Sequence, residues 1–139
     1  MNTVRVEPFE ASLPPDLSRL RGLRHEIAAW LDSIGVPPDH RDGVVLAVHE
    51  AAANAIEHAT GRVTVRGAHD QDKLLLVVSN TGRWRGSRPA DEARGRGLSI
   101  MRALMTNLEI RTDPEGTTVR MRMDFPSRDT APEARVSPE

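Results

Sequence analysis

Two consecutive segments in the first half of the chain carry apolar residues at spacings of three and four, the period of an amphipathic helix. The first segment has Asp16 as a predicted N-cap and Gly35 as a predicted end. Its apolar positions are Leu17, Leu20, Leu23, Ile27, Trp30, Leu31 and Ile34. The second helix is predicted to begin at Pro37-Pro38-Asp39 and to run to Gly61.

Several shorter runs have the composition of strands. Val4 and Val6 alternate with polar neighbours as far as Phe9, which predicts a first strand. The Val63–Val65 alternation and the apolar run 74–79 predict a hairpin that turns at HDQDK. LEIRT and TTVRMRMDF predict a second hairpin, because DPEG between them favours a turn.

A third helix is predicted between the two hairpins, after a long loop over residues 80–97. Its apolar positions are Leu98, Met101, Leu104, Met105 and Leu108. Strands that are adjacent in sequence favour a mostly antiparallel sheet. We therefore expect an α+β fold, a two-layer α/β sandwich with the helices on one face of the sheet.

Length and composition limit the class of protein. The 139 residues suit one domain, predicted over residues 1–125, with a polar, proline-containing disordered tail over residues 126–139. A net charge of -1 argues against nucleic acid or a membrane surface as partner, and the lack of cysteine excludes disulfides and thiolate sites. No membrane span or secretory signal is visible, so a cytoplasmic location is expected.

The second helix separates into two faces on a helical wheel. Glu50, Asn54 and His58 follow one another at i, i+4 steps, opposite an apolar stripe that is expected to face the sheet. The stripe comprises Val44, Val45, Val48, Ala52, Ala55, Ile56 and Ala59. The polar line suits either a solvated face or one wall of a pocket. Small apolar neighbours favour the pocket: Leu46, Ala47, Ala51 and Ala53.

The chemistry of this line suits Mg²⁺ or a general base, because a carboxylate stands beside an amide oxygen. A zinc-protease motif beginning at His49-Glu50 is excluded, since Ala53 occupies the second histidine position. Gly95-Arg96-Gly97-Leu98 suits either a phosphate cradle or a simple hinge before a helix. Three scattered histidines are expected to be solvated: His25, His40 and His69. The arginines of the first helix are expected to form a solvated face, with partner docking as the alternative: Arg19, Arg21 and Arg24.

Taken together, four motifs resemble the ATP-binding boxes of the GHKL (Bergerat-fold) ATPases: HEAAANAIEHA, VVSNTG, GRGLSIM and EGTTV. More narrowly, the chain resembles the anti-sigma factor serine kinases of bacterial partner-switching systems. The resemblance covers about residues 4–125. It implies ATP and Mg²⁺ as cofactors.

The resemblance also implies roles for individual residues. Glu50 matches the general base, Asn54 the Mg²⁺ ligand, and Thr117 a residue that supports the adenine site. His58 completes the helix motif without a chemical step, and residues 83–94 match the lid. The remaining matches to the ATP-binding segments are Asn80, Gly82, Gly95, Gly97, Leu98 and Ser99.

Two positions depart from the family pattern. Asn80 stands where the family usually has an aspartate that receives the adenine amino group, and Trp84 replaces the second loop glycine. An amide oxygen still accepts this hydrogen bond. Losing the charge is expected to cost about 1 kcal/mol, somewhat under tenfold in ATP affinity. ATP binding is therefore expected to be weakened but not abolished.

Two functions follow from the resemblance. The first is an ATP-dependent protein-serine kinase that sequesters a sigma factor and phosphorylates a STAS-type antagonist, acting as a possible homodimer without direct contact to nucleic acid or membrane. The second is a non-enzymatic partner-binding switch whose adenine pocket has decayed at Asn80. Glu50 and Asn54 favour the kinase, because a pocket without nucleotide has no evident use for them.

Overall fold

The computed structural model describes residues 8–58, 61–81, 103, 105–113 and 115–126. Among these residues, no helix is both long and apolar enough to cross a lipid bilayer. A 3-10 turn over Leu17–Arg19 leads into the first helix. The helices are α1 (Leu20–Ser33) and α2 (Pro38–His58), and the strands are β1 (Phe9–Leu13), β2 (Val63–Asp70), β3 (Lys73–Asn80), β4 (Asn107–Asp113) and β5 (Gly116–Asp124).

The five strands form one sheet in the order β1-β2-β3-β5-β4, and every neighbouring pair is antiparallel. Both predicted hairpins are confirmed, β2 with β3 and β4 with β5. The α2 helix packs against β2 and β3, while α1 packs against α2 and β1. The predicted α+β sandwich is therefore correct.

The predicted end of α1 at Gly35 is confirmed, but the predicted N-cap Asp16 needs correction, because residues 17–19 form a 3-10 turn that Asp16 caps and α1 itself begins at Leu20. Asp16 accepts hydrogen bonds from the backbone N–H and the hydroxyl of Ser18, at 3.0 and 2.8 Å, and these bonds lower the pKa of the Asp16 carboxyl. At the other end Gly35 has a φ of 88°, a conformation that glycine adopts without the steric cost of a side chain. Asp16 thus fixes the 3-10 turn that leads into α1, and Gly35 lies just beyond the end of the helix.

The first predicted strand and the C-terminal end of the third predicted helix need correction. The strand begins at Phe9 instead of ending there, because residues 9–13 pair with β2 from Gly67 back to Val63; Val4 and Val6 lie outside the described residues. Leu108 belongs to β4, opposite Met121, and not to a helix, and Met105 before it is buried without being helical. Sheet pairing overrides the helical spacing at that point. Leu98, Met101 and Leu104, and the predicted tail beyond Pro126, lie outside the described residues.

Alternation along the strands separates the two faces of the sheet. In β3 and β5 every second residue is buried beneath the helices, and the intervening residues are half-buried or exposed on the opposite face. Met121 and Leu76 are fully buried at the centre of the core. The hydrophobic core therefore lies between α1, α2 and the inner face of the sheet.

Trp30 of α1 reaches the sheet at a glycine. A Cβ built at Gly67 would lie 2.8 Å from two ring atoms of Trp30, so the indole occupies the space that a side chain would need. Phe9 packs beside the indole with ring centroids 5.6 Å apart, and His69 meets it edge-on at 6.2 Å. The expectation that His69 is solvated is wrong, because both of its ring nitrogens are buried.

This contact predicts that Gly67→Ala lowers the free energy of unfolding by about 1–3 kcal/mol, because the added methyl overpacks the indole. The matched control is Gly22→Ala in α1, where nothing lies within 4 Å of the added Cβ. There the better helix propensity of alanine is expected to stabilise by about 0.5–1 kcal/mol. Urea denaturation of both variants measures the difference. Equal stability changes in the two variants would contradict the close approach of Trp30.

Candidate functional site

The buried face of α2 is wider than the sequence indicates. Ala47 and Ala51, interpreted from the sequence as part of a pocket wall, are 0% and 2% exposed and belong to the core. Val45, which was placed on the apolar stripe, is only half-buried. The helix is rotated so that its alanines face the sheet, because small side chains permit close approach. The buried positions are Val44, Ala47, Val48, Ala51, Ala52, Ala55 and Ile56.

Glu50 and Asn54 lie on the border of this buried face. Both side chains are half-buried, one helical turn apart, next to the fully buried Ala47 and Ala51. This position differs from both alternatives predicted from the sequence, a solvated helix face and a pocket wall lined by small apolar residues. It keeps the Glu50 carboxylate and the Asn54 amide partly out of water while leaving both accessible. His58 is the last residue of α2, and its side chain lies outside the described part of the chain.

Two polar residues, Asn80 and Thr117, are buried among the described residues, 5% and 4% exposed. They are direct cross-strand partners, at the end of β3 and near the start of β5. In the alternation of these strands both side chains share the inner face with Val78 and Val119. The sequence motifs placed the two residues 37 positions apart, and the β3–β5 register brings them together.

The Thr117 hydroxyl is buried, and no hydrogen-bond partner lies within reach of it among the described residues. Burying a hydroxyl without a hydrogen bond costs about 1–3 kcal/mol, and native proteins rarely leave such a group unmatched. A bound molecule that supplies a polar atom would satisfy it. This hydroxyl therefore points to a ligand at the end of β3.

Gly116 holds β5 close to the end of β3. A Cβ built at this position would overlap the backbone carbonyl oxygen of Asn80, so no side chain fits there. The EGTTV motif contains this glycine but does not by itself reveal its packing role. The signal was a glycine immediately before the residue assigned to the adenine site, which is typical of a close backbone approach.

The structure relates α2 to this strand end. The helix packs against β2 and β3, so the helix that carries Glu50 and Asn54 covers the strand that ends in Asn80. Among the described residues, no group of three or more His, Asp or Glu side chains is placed to hold a metal ion. The predicted phosphate-binding and lid positions lie outside the described residues: Gly82, Gly95, Gly97, Leu98, Ser99 and residues 83–94.

Comparison with known proteins agrees with this arrangement. Residues 13–123 match the model of the histidine kinase-like ATPase domain. The chain is 28% identical over 119 residues to the serine-protein kinase RsbW of Bacillus licheniformis, covering 71% of this chain and 74% of that protein. It is 24% identical over 136 residues to the serine-protein kinase RsbW of Bacillus mycoides, covering 84% of each.

A solved structure has the same fold. The crystal structure of the RsbU and RsbW domains of Rv1364c from Mycobacterium tuberculosis superimposes with a TM-score of 0.71 at 25% identity. The match covers 88% of this chain and 34% of that longer chain. The family resemblance carried by the sequence motifs is confirmed: the chain belongs to the histidine kinase-like ATPase domain family and is similar to its RsbW-type serine-protein kinases.

Proposed function

We propose that this protein is an ATP- and Mg²⁺-dependent protein-serine kinase and anti-sigma factor. The observation that carries the proposal is the buried Asn80–Thr117 pair, whose Thr117 hydroxyl has no partner among the described residues. In a family whose members are named for ATPase and kinase activity, a buried polar pair beneath α2 suits an adenine base. The edge of adenine carries both a hydrogen-bond donor and an acceptor.

Asn80 and Thr117 would bind the base end of the nucleotide. The Asn80 amide oxygen accepts a hydrogen bond from the adenine amino group, and the Thr117 hydroxyl bonds to a neighbouring polar atom of the base. Because both side chains are buried, these bonds form in a medium of low dielectric, where they discriminate strongly against a base that cannot make them. Gly82, Gly95, Gly97, Leu98 and Ser99 stay predictions as contacts to the phosphates.

Asn54 would hold the metal through its amide oxygen. Mg²⁺ commonly takes one or two protein oxygens and completes its octahedral shell with phosphate oxygens and water. A single half-buried amide on the border of α2 fits that pattern. When bound, Mg²⁺ neutralises charge on the triphosphate.

Glu50 would act on the substrate serine. As the serine oxygen attacks the γ-phosphorus, Glu50 accepts the hydroxyl proton, the new O–P bond forms, and the bond to the β–γ bridging oxygen breaks to release ADP. The half-buried border position suits this role, because the carboxylate is accessible yet held by the helix backbone. The rest of the barrier is lowered by positioning the serine in line with the leaving oxygen.

The partners are those of an RsbW-type partner-switching kinase. In this proposal the protein binds a sigma factor, and phosphorylation of one serine on a STAS-domain antagonist releases the antagonist. Such partners place its action in the cytoplasm, and a homodimer stays a prediction. Similarity to proteins named serine-protein kinase RsbW supports the assignment.

The variant Thr117→Val is expected to weaken Mg-ATP binding without lowering the stability of the fold. The Thr117 hydroxyl is buried and has no partner among the residues that the structure describes, so replacing it by a methyl of similar shape is expected to leave the free energy of unfolding unchanged or to raise it. The same change is expected to weaken Mg-ATP binding about three- to tenfold, the worth of one neutral hydrogen bond. Thermal unfolding and calorimetric titration measure the two effects.

The control for this variant is Thr118→Val, the next residue of β5, which points to the opposite face of the sheet. Its Mg-ATP affinity is expected to equal that of the wild type. Equal affinities in the wild type and Thr117→Val would remove Thr117 from the adenine site.

Glu50→Gln tests the proton acceptor. The amide keeps the shape of the side chain but cannot take the proton, so phosphoryl transfer is expected to fall by about 10²–10⁴-fold while Mg-ATP still binds. The matched control is Glu26→Gln on the exposed surface of α1. Transfer of ³²P from ATP to an antagonist measures both variants. If Glu50→Gln phosphorylates at the wild-type rate, Glu50 is not the base.

A further inference from the structure

Asn80 and Thr117 have side chains whose hydrogen-bonding polarity is not fixed. The Asn80 carboxamide carries an acceptor oxygen and a donor NH₂ group, and the Thr117 hydroxyl both donates and accepts. Half a turn about the last side-chain bond of Asn80 exchanges its oxygen and nitrogen, which are nearly equal in size. The exchange reverses the polarity that the buried pair presents to a ligand without changing the shape of the pair.

Among the described residues, no buried ionised side chain selects one polarity at this strand end. Asn80 and Thr117 are 5% and 4% exposed, and they are the only buried polar or charged residues in that part of the chain. A carboxylate at position 80 would offer acceptor atoms alone and would repel a carbonyl oxygen of a ligand. The carboxamide has no net charge, so neither residue of the pair favours a donor over an acceptor on the ligand.

The β3–β5 register presents both side chains to one edge of a ligand. Asn80 and Thr117 are direct cross-strand partners on the inner face, and the Cβ atoms of such partners lie about 4.5–5.5 Å apart. Gly116 keeps the two strand ends close, because a Cβ there would overlap the backbone carbonyl oxygen of Asn80. The Thr117 hydroxyl has no hydrogen-bond partner within the described ranges, so it is available to a ligand atom of either polarity.

The two kinds of purine present opposite polarities at this edge. Adenine has a donor amino group at position 6 and an acceptor nitrogen at position 1, whereas a 6-oxopurine such as guanine has an acceptor oxygen and a donor N–H there. With adenine, the amino group donates to the Asn80 oxygen and the Thr117 hydroxyl donates to the ring nitrogen. With a 6-oxopurine, the Asn80 NH₂ donates to the base oxygen and the ring N–H donates to the Thr117 oxygen. Two hydrogen bonds form in each case.

We propose that Asn80 sets the base specificity of this site, so that the protein binds 6-oxopurine nucleoside triphosphates about as tightly as ATP. GTP is a nucleotide of this chemical class. The proposal rests on the proposed nucleotide site, because it needs a base at the Asn80–Thr117 pair. It goes beyond a weakened ATP affinity, since the uncharged amide that weakens adenine binding also removes the discrimination against the opposite polarity.

Calorimetric titration of the wild-type protein with Mg-ATP and with the magnesium salt of inosine triphosphate (Mg-ITP) tests the proposal. ITP carries a 6-oxopurine and differs from ATP only at positions 1 and 6 of the base, whereas GTP has a further amino group at position 2. The two dissociation constants are expected to agree within about threefold, because each base forms two neutral hydrogen bonds with the pair. Purine riboside triphosphate, which has only hydrogen at position 6, is expected to bind about three- to tenfold more weakly than either.

Two variants assign the effect to the pair. Asn80→Asp is expected to bind Mg-ATP at least about thirtyfold more tightly than Mg-ITP, because the carboxylate strengthens the bond to the amino group and repels the 6-oxygen. A mildly alkaline buffer keeps the introduced carboxyl group ionised. Thr117→Val is expected to weaken both nucleotides about three- to tenfold and to keep their ratio, since the hydroxyl serves both bases. Thr118→Val on the opposite face is the matched control, with both affinities unchanged.

The outcomes separate this proposal from the proposed function. Wild-type binding of Mg-ATP with Mg-ITP weaker by more than about threefold overturns the specificity proposal and leaves the nucleotide site standing. Equal binding of purine riboside triphosphate and ATP also overturns it, because the base edge is then not recognised. An unchanged ratio of the ATP and ITP affinities in folded Asn80→Asp removes the assignment to Asn80. Failure of the wild type to bind any of the three nucleotides removes the proposed nucleotide site, and the specificity proposal with it.

Discussion

The packing of α2 against the sheet determines the rest of the structure. Its inward positions are alanine and valine except for Ile56, so the helix backbone approaches β2 and β3 closely. A helix that buries so broad a face has two borders that are partly covered. Glu50 and Asn54 lie on one border, and Val45 and His49 lie on the other, beside α1. One packing surface therefore positions the proposed catalytic residues at the edge of the core.

The second constraint is a polar pair placed where the core would otherwise be apolar. Asn80 and Thr117 face inward at the ends of strands whose other inward residues are aliphatic or methionine. A buried hydroxyl that has no partner within the described part of the chain lowers stability, and this favours a use for the hydroxyl in a ligand-bound state. Gly116 permits this arrangement, because its missing side chain leaves room for the carbonyl of Asn80. In the proposed function, stability and ligand binding thus oppose each other at this strand end.

The sequence predicted the fold where local patterns agree with tertiary packing. Gly35 marks the end of α1, Asp16 caps the turn that leads into it, and both hairpins follow from alternation and turn residues. Prediction failed where pairing across the sheet decides the outcome. Leu108 has helical spacing but is held opposite Met121, and the first strand takes its register from β2.

The sequence predicted which residues belong to the candidate site but not which residues surround them. The motifs identified Glu50, Asn54, Asn80 and Thr117, yet only the β3–β5 register reveals that the last two are neighbours. Helical periodicity alone could not show that Ala47 and Ala51 are covered by the sheet, because alanine is tolerated on either face of a helix.

The central claim is that the buried pair at the end of β3 binds ATP. Calorimetric titration of Mg-ATP into the wild-type protein, beside Asn80→Asp, tests it most directly. The account predicts saturable binding by the wild type, tightened by somewhat under tenfold in Asn80→Asp, because the aspartate restores a charged hydrogen bond. Circular dichroism checks that the introduced carboxylate leaves the fold intact. Binding by Asn80→Asp alone would contradict the account, and the protein would then be a partner-binding switch without a nucleotide.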